Sequence, residues 1–184
     1  MYVLLNDSER IATIYTNIGN NYKNLDLFDS AIHYHLLSLN YHQRKGTARG
    51  VARVYNNIGI IYMRMGNDEL ALPQFQKMAD ISLEEKDTLY IAKAYQNIGA
   101  CYVNMHQDEK ALIYLRKALD YQTQLNNKRS MIIILTNIVT SLNNTKAYHD
   151  AIEVSKQAIS LSIETEDSVN LAYSYKGMAE ALFR

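Results

Sequence analysis

The sequence predicts an all-α protein in which one pair of helices is repeated along the chain. Two observations predict this: an apolar frame returns every 40 residues, and the apolar positions inside each period have helical spacing. The composition agrees, because the 184 residues include seven glycines and one proline, few for the frequent turns of a β-rich fold. We therefore expect helices joined by short turns.

The repeated frame is clearest where YNNIGIIY at residues 55–62 returns as YQNIGACY at residues 95–102. Whole columns of residues keep this register: Tyr15, Tyr55, Tyr95, Leu135 and Tyr175; Ile18, Ile58, Ile98, Ile138 and Met178; Gly19, Gly59 and Gly99; and Ala31, Ala71, Ala111 and Ala151. Random apolar patterning would not hold one register over four periods. The pattern therefore predicts a repeat array.

Each period divides into two helical stretches. Apolar residues of the first stretch fall at i, i+3, i+4, i+7 and i+11, as in Val51, Val54, Tyr55, Ile58 and Tyr62. The second stretch has helical spacing too, in Ala71, Phe75, Met78 and Ala79. Residues that can cap a helix N-terminus recur every 40 positions and are predicted to start the first helices: Asp7, Thr47, Asp87, Asn127 and Asp167.

Two glycines carry specific predictions. Inside a helix, Gly59 costs about 1 kcal/mol relative to alanine, so it predicts a close contact between two helices. Gly66 is predicted to end the same helix, because a left-handed residue costs glycine little.

These signals describe a single array. Residues 1–7 are expected to be the end of a preceding second helix, and residues 167–184 the first helix of a fifth repeat. Four repeats lie between them, at 8–46, 47–86, 87–126 and 127–166. Such an array would begin and stop inside a repeat, and an exposed terminal repeat needs a polar cap. We therefore expect the chain to be a fragment of a longer protein.

The frame resembles the tetratricopeptide repeat (TPR), whose pattern is W-x2-L-G-x2-Y…A-x3-F…P on a 34-residue period. Tyrosine replaces tryptophan in the match of Tyr55, Ile58, Gly59, Tyr62, Ala71 and Phe75. The resemblance weakens from residue 131 onward. The longer period, without a closing proline, is similar to the extended repeats of kinesin light chains, spindle-orientation adaptors, bacterial Rap-type regulators and TPR sensor proteins. It implies a right-handed α-solenoid of antiparallel helix pairs, the TPR superhelix, with a concave groove lined by the first helices.

Polar positions of the first helices, away from the apolar stripe, would line that groove. One column, named here the asparagine row, consists of Asn17, Asn57, Asn97 and Asn137. Asparagine is a poor helix former, so its return at one position needs a reason. Amides in a column can bind an extended peptide backbone whatever its side chains. Alternatively, each asparagine bonds to the neighbouring helix and sets the stacking.

Basic residues would make this groove attractive to an acidic or phosphorylated peptide, although the formal net charge of the chain is zero. We expect Asn20, Arg53 and Lys93 to take part in peptide binding, and Lys23 and Arg64 to add positive charge.

A more specific alternative is the clamp by which some TPR domains hold a peptide's C-terminal carboxylate. Asn20, Asn57 and Lys93 would occupy three of its five positions. Thr16 and Asn97 occupy the other two, where the family has Lys and Arg. The clamp is therefore incomplete.

Other kinds of site have weak support. His33 and His35 are two residues apart and so point to different sides of a helix, and His35 takes the core position of Phe75. No metal or cofactor is predicted. Cys101 is the single cysteine, which excludes a disulfide, and it is predicted to be a packed thiol. No catalytic motif stands out, so we do not expect an enzyme.

The leading functional hypothesis is a protein- or peptide-binding scaffold, the recognition or sensory region of a larger bacterial regulatory protein. The alternative is structural self-assembly without a separate ligand, a homo-oligomer through the end repeats. Neutral charge argues against an RNA-reading repeat or another nucleic-acid partner. No apolar run approaches the ~18 residues of a membrane span. We expect a cytoplasmic location, or a periplasmic sensor region if the chain is a fragment.

Overall fold

The structure, a computed structural model, describes residues 2–45 and 47–184, with side chains from Arg10 onward. Nine helices account for most of these residues: α1 (Tyr2–Asn24), α2 (Phe28–Lys45), α3 (Ala48–Arg64), α4 (Asp68–Glu84), α5 (Thr88–Asn104), α6 (Asp108–Gln124), α7 (Lys128–Asn144), α8 (Tyr148–Glu164) and α9 (Ser168–Leu182). The described residues contain no strand. The predicted all-α class with two helices per period is confirmed.

The beginning of the chain differs from the expectation. Helix α1 runs without a break through Asp7, so this residue lies inside a helix and not at its start. Before Asp87, Asn127 and Asp167 the preceding residue has positive φ, as in Lys86. The corresponding position, Asn6, is helical. No turn therefore separates residues 2–7 from the rest of α1.

Three of the predicted caps have the expected geometry. The side chains of Asp87, Asn127 and Asp167 each accept a hydrogen bond from the backbone N–H three residues later, at 3.0–3.3 Å. Backbone and side-chain bonds from Asn170 lower the pKa of Asp167 below its ordinary value. Thr47 precedes α3 but makes no such bond, because its hydroxyl group lies 2.7 Å from His42 Nδ1.

The turns after the helices share one backbone geometry, and only at Gly66 did a glycine in the sequence predict it. After α3, the N–H of Gly66 bonds to Met63 O and the N–H of Asn67 to Tyr62 O, both at 2.9 Å, the two bonds of a Schellman motif. Gly66 has φ 72°, as predicted for a helix stop. Six further turns have the same positive φ without glycine, at Asp26, Lys86, His106, Asn126, Lys146 and Glu166.

The chain forms two compact units, Met1–Tyr90 and Ile91–Arg184, called here unit 1 and unit 2. In unit 1 the glycine of the frame marks a close helix contact, as predicted. A Cβ atom on Gly59 would come within 2.6 Å of the Phe75 ring, which is fully buried. In the preceding helix pair, His35 takes the place of Phe75 against Gly19 and is also fully buried, which confirms its predicted core position.

Unit 2 repeats this contact and then changes it. Leu115 packs against Gly99. In the next pair the large and small residues are exchanged, since Val139 stands at the glycine position and the buried Ser155 at the position of Leu115. Val139 also reaches α9, where a Cβ on Gly177 would lie 2.6 Å from Val139 Cγ1. The weaker repeat pattern after residue 131 therefore preserves the packing of small against large side chains.

Cys101 is fully buried, as expected for a packed thiol. Among the described residues, no helix is both long and apolar enough to span a bilayer.

Candidate functional site

The asparagine row in unit 1 consists of Asn17 on α1 and Asn57 on α3. Asn17 is exposed and Asn57 is half-buried. Within the described residues, neither side chain makes a hydrogen bond to the protein. Their amides therefore do not hold the neighbouring helix, and their donors and acceptors remain open to solvent or to a ligand.

Two of the cations expected to line the groove in unit 1 serve the fold. Arg64 donates from Nη1 to Lys23 O at 2.8 Å and from Nη2 to Asp26 Oδ1 at 2.6 Å, and it lies over the Phe28 ring. Lys23 Nζ is 3.4 Å from Asn20 Oδ1. Partial burial and the nearby Arg64 lower the pKa of Lys23. These contacts tie the end of α3 to the end of α1.

Thr16 differs from its predicted place in the groove. It is buried between α1 and α2, where its hydroxyl group bonds to Ala12 O at 3.0 Å and lies 2.8 Å from Ser38 Oγ. The small Ser38 leaves room for this contact, whereas the same position later in the chain holds Met78. Thr16 therefore does not belong to a carboxylate clamp.

Arg53 lines a cleft of about 240 Å³ in unit 1, named here the arginine cleft. Its lining residues are His42, Thr47, Arg49, Gly50, Arg53 and Tyr90. The Nε atom of Arg53 is buried and has no hydrogen-bond partner among the residues described. Arg49 pairs with Asp87 at 3.3 Å, and its guanidinium lies 5.2 Å from the Tyr90 ring centroid. The cleft thus presents two guanidinium groups one helical turn apart on α3.

In unit 2, Asn137 lies in a cleft of about 400 Å³ between α7 and α9, named here the α7–α9 cleft. The cleft brings together residues of both helices: Thr136, Asn137, Thr140, Tyr173, Lys176 and Gly177. No hydrogen bond to the protein involves the Asn137 side chain among the described residues. On α5, Lys93 is exposed and Asn97 is half-buried.

Two other asparagines of α7 use their side-chain amides to bond to neighbouring helices. Asn143 Nδ2 donates to Gly177 O at 2.9 Å and so joins α7 to α9. Asn144 Nδ2 donates to Asp108 Oδ1 at 3.1 Å. Both lie one to two turns beyond Asn137 on the same helix. The stacking role considered for the asparagine row is therefore performed at different positions.

The sequence did not point to all residues of these clefts. His42, Arg49 and Tyr90 come from three helices and share the arginine cleft only because α2, α3 and the start of α5 meet there. Gly50 could have indicated this contact, because a Cβ there would lie within 2.3 Å of the His42 ring. Among the described residues, no group of three His, Cys, Asp or Glu side chains is placed to hold a metal ion.

Comparisons with known proteins agree with the repeat pattern and the helix pairs. The sequence pattern of the tetratricopeptide repeat family matches residues 10–84 and, one period later, 50–124, together more than half of the chain. A comparison with curated protein sequences gives no match.

Solved structures share the fold at low identity. The apo form of RapI is 20% identical with a TM-score of 0.84, over 93% of this chain and 47% of RapI. A Rap protein complexed with competence and sporulation factor is 15% identical with a TM-score of 0.79, over 96% and 52%. A Podosopora anserina kinesin light chain with nearly identical TPR-like repeats is 12% identical with a TM-score of 0.77, over 95% and 86%.

The chain spans about half the length of the two Rap proteins. The family match covers the positions that carry the repeat frame, and the helix pairs, the glycine contacts and the structural likenesses agree with it. This chain belongs to the tetratricopeptide repeat family.

Proposed function

We propose that this chain is a peptide-recognition scaffold, in which asparagine side chains of the first helices bind the backbone of an extended peptide. One observation carries the proposal. In the part of the chain that the structure describes, Asn17, Asn57 and Asn137 make no side-chain hydrogen bond, whereas Asn143 and Asn144 bond to neighbouring elements. An asparagine that the fold does not use, placed at a helical position it disfavours, is a candidate for ligand binding.

The chemistry fits a peptide backbone. Each amide side chain offers two donors and an acceptor, and each peptide group of an extended segment offers one of each. Such contacts give affinity without dependence on the peptide's side chains. In unit 2, the α7–α9 cleft adds Tyr173 and Lys176 beside Asn137. These would contact side chains of the peptide and favour acidic ones.

The proposal includes a place in a larger regulatory protein of the bacterial cytoplasm. A Rap protein with this fold has been crystallised with competence and sporulation factor, and this chain spans about half of that protein. We propose by analogy that the chain senses a ligand, and that binding rather than catalysis is its role.

A library of random dodecapeptides displayed on phage tests the proposal without a known partner. Peptides selected on the wild-type chain would be synthesised, and their Kd measured by fluorescence anisotropy. The double variant Asn17→Ala/Asn57→Ala removes both row amides of unit 1. Two lost hydrogen bonds, at about 1 kcal/mol each, should weaken binding by about tenfold or more.

The matched control is Asn21→Ala/Asn40→Ala, which removes two exposed asparagines outside the row. Its Kd should stay within about twofold of the wild type. Far-UV circular dichroism should show equal helicity in all three proteins. Selected peptides that bind the row variant as tightly as the wild type would refute the peptide-binding role of the asparagine row.

Self-assembly is a second candidate, and the surface of α9 favours it. Val169, Tyr175 and Leu182 are 64%, 53% and 58% exposed, and Phe183 is 89% exposed. Apolar surface of this kind often marks an interface. Sedimentation equilibrium should then show a mass that rises with concentration, and Tyr175→Ser/Phe183→Ser should abolish the rise. A concentration-independent monomer mass for the wild type would exclude this candidate.

A further inference from the structure

We propose that the arginine cleft of unit 1 binds an anionic group on the captured peptide, a carboxylate or a phosphoryl group, with Arg53 as its main contact. The inference rests on the proposed function and names the chemistry of one subsite. It goes beyond a general basic character, because Arg64 and Lys23 make contacts within the fold, whereas Arg53 makes no ion pair among the described residues.

Arg53 is the residue on which the site depends. Arg53 lines the cleft, and its buried Nε–H has no acceptor among the described residues, which is unfavourable for a donor. Among the described residues, Arg53 makes no ion pair. A guanidinium group presents its N–H donors in a fixed planar fork that fits the oxygen atoms of a carboxylate or phosphate. An anion in the cleft would accept hydrogen bonds from this guanidinium group.

Arg49 completes the site at its rim. Its ion pair with Asp87 and its stacking on Tyr90 hold the guanidinium in place. Asp87 also accepts a hydrogen bond from Tyr90 N at 3.2 Å, which keeps the carboxylate at the start of α5. Two arginines against one carboxylate leave the cleft with net positive charge.

The N-terminus of α3 also adds positive charge to the cleft. Thr47 occupies the N-cap position, but its hydroxyl group is 2.7 Å from His42 Nδ1 and does not cap the helix. Gly50 lets the His42 ring approach α3 closely. The first-turn N–H groups of α3 therefore lack a side-chain cap beside the cleft, and their partial positive charge adds to that of Arg53.

The other cations of unit 1 that were expected in the groove do not offer this combination. Arg64 already donates to Lys23 O and Asp26. Lys23 is close to Asn20 and, as a single ammonium group, lacks the planar fork. The cleft volume of about 240 Å³ has room for one acidic side chain.

The experiment follows the Arg53 side chain directly. The full chain is labelled with ¹⁵N, and the arginine Nε–Hε resonances are recorded while a heptapeptide is added at constant ionic strength. Three blocked heptapeptides differ only in their central residue, which is glutamate, phosphoserine or glutamine. The Arg53 resonance is assigned by its loss in Arg53→Gln.

We expect the Arg53 resonance to shift and saturate with the glutamate or the phosphoserine peptide, and the tighter of the two identifies the source of the anion. The glutamine peptide should leave it within about a tenth of that shift. The Kd of the anionic peptide is fitted to the backbone amide shifts of residues 48–53. It should rise about tenfold or more in Arg53→Gln. It should rise less in Arg53→Lys, which keeps the charge but not the fork.

Arg116→Gln is the matched control, since it removes an exposed arginine of α6 in unit 2 and should leave the Kd unchanged. An Arg53 resonance that does not move, or that moves equally with the glutamine peptide, would overturn the proposal. If Arg53→Gln does not fold, the loss of the resonance in Arg53→Lys supplies the assignment, and the wild-type shifts then decide the question. Failure of the asparagine-row variants to weaken peptide binding would refute the proposed function while leaving this anion test intact.

Discussion

The fully buried His35 in unit 1 leads to the most direct prediction about stability. His35 is fully buried against Gly19, and neither ring nitrogen has a hydrogen-bond partner. Burial, together with the nearby Lys23, lowers the pKa of His35 from its ordinary 6.5 to about 4. The perturbation is His35→Phe, which places in unit 1 the residue that unit 1 already accommodates at Phe75.

The sign follows from the protons that each state binds. Between pH 6.5 and pH 4 the unfolded chain carries a proton on His35 and the folded chain does not, so acidification stabilises the unfolded state. The stability contributed by the neutral ring is complete above pH 6.5 and falls as the pH drops toward 4. With these two pKa values, wild-type protein loses about 2.5 kcal/mol between pH 7 and pH 4.5 through His35 alone. The His35→Phe variant has no titratable group at this position, so its stability does not fall by this amount on acidification.

Urea unfolding at pH 7 and at pH 4.5, followed by circular dichroism, measures the effect. Carboxylates also titrate near pH 4.5, so the quantity to compare is the difference in unfolding free energy between variant and wild type at each pH. This difference should grow in favour of His35→Phe by about 2.5 kcal/mol on acidification. Hydrogen exchange of α1 and α2 amides would report the same change for unit 1 by itself.

His33→Phe is the control on the same helix, because His33 is exposed. It should follow the wild-type pH dependence. If His35→Phe loses as much stability on acidification as the wild type, His35 is not held neutral by burial, and the reasoning is wrong.

Three further predictions concern the turns, the glycine contacts and the helix ends. Lys86→Gly and Lys146→Gly should each raise Tm, since both residues have positive φ at 54° and 62° and glycine avoids a cost of about 1 kcal/mol there; a lower Tm would contradict this. Gly59→Ala should destabilise by about 2 kcal/mol through overpacking against Phe75, and Gly59→Ala/Phe75→Leu should recover part of the loss in urea unfolding; additive losses would count against the contact. Arg64→Ala should lower the free energy of unfolding by at most about 1 kcal/mol, because the Arg64–Asp26 ion pair is exposed. It should speed amide hydrogen exchange only at the end of α1.

Much of the fold could be predicted because it depends on periodicity. The 40-residue register, the apolar stripes and the caps at Asp87, Asn127 and Asp167 are local or repeated signals, and the structure contains them. The helix stops were harder to predict. A Schellman turn needs one residue with positive φ, and polar residues such as Lys86 and His106 supply it where glycine would have been the visible signal.

The 40-residue register alone could not predict which side chains of the groove make contacts within the fold. Thr16 and Asn57 belong to adjacent columns of the repeat frame that were both assigned to the groove, yet Thr16 is buried against Ser38. Arg64 was expected to provide charge for a ligand and instead bonds to Asp26 and Lys23 O. Each outcome depends on a residue of another helix whose identity the repeat does not specify.

The sequence by itself determined the family, the helix pairs and the candidate residues, because a repeated local pattern specifies which face of each helix is apolar and which is polar. Only the tertiary structure decided which polar residues the fold already uses, since that depends on contacts between side chains far apart in the chain. Across the described ranges, the Asn57 side chain makes no hydrogen bond, Asn143 bonds to Gly177 O, and Arg53 Nε is buried without a partner. Hydrogen bonds extend only about 3 Å, so small differences in packing separate residues that hold the fold together from residues that can bind a ligand.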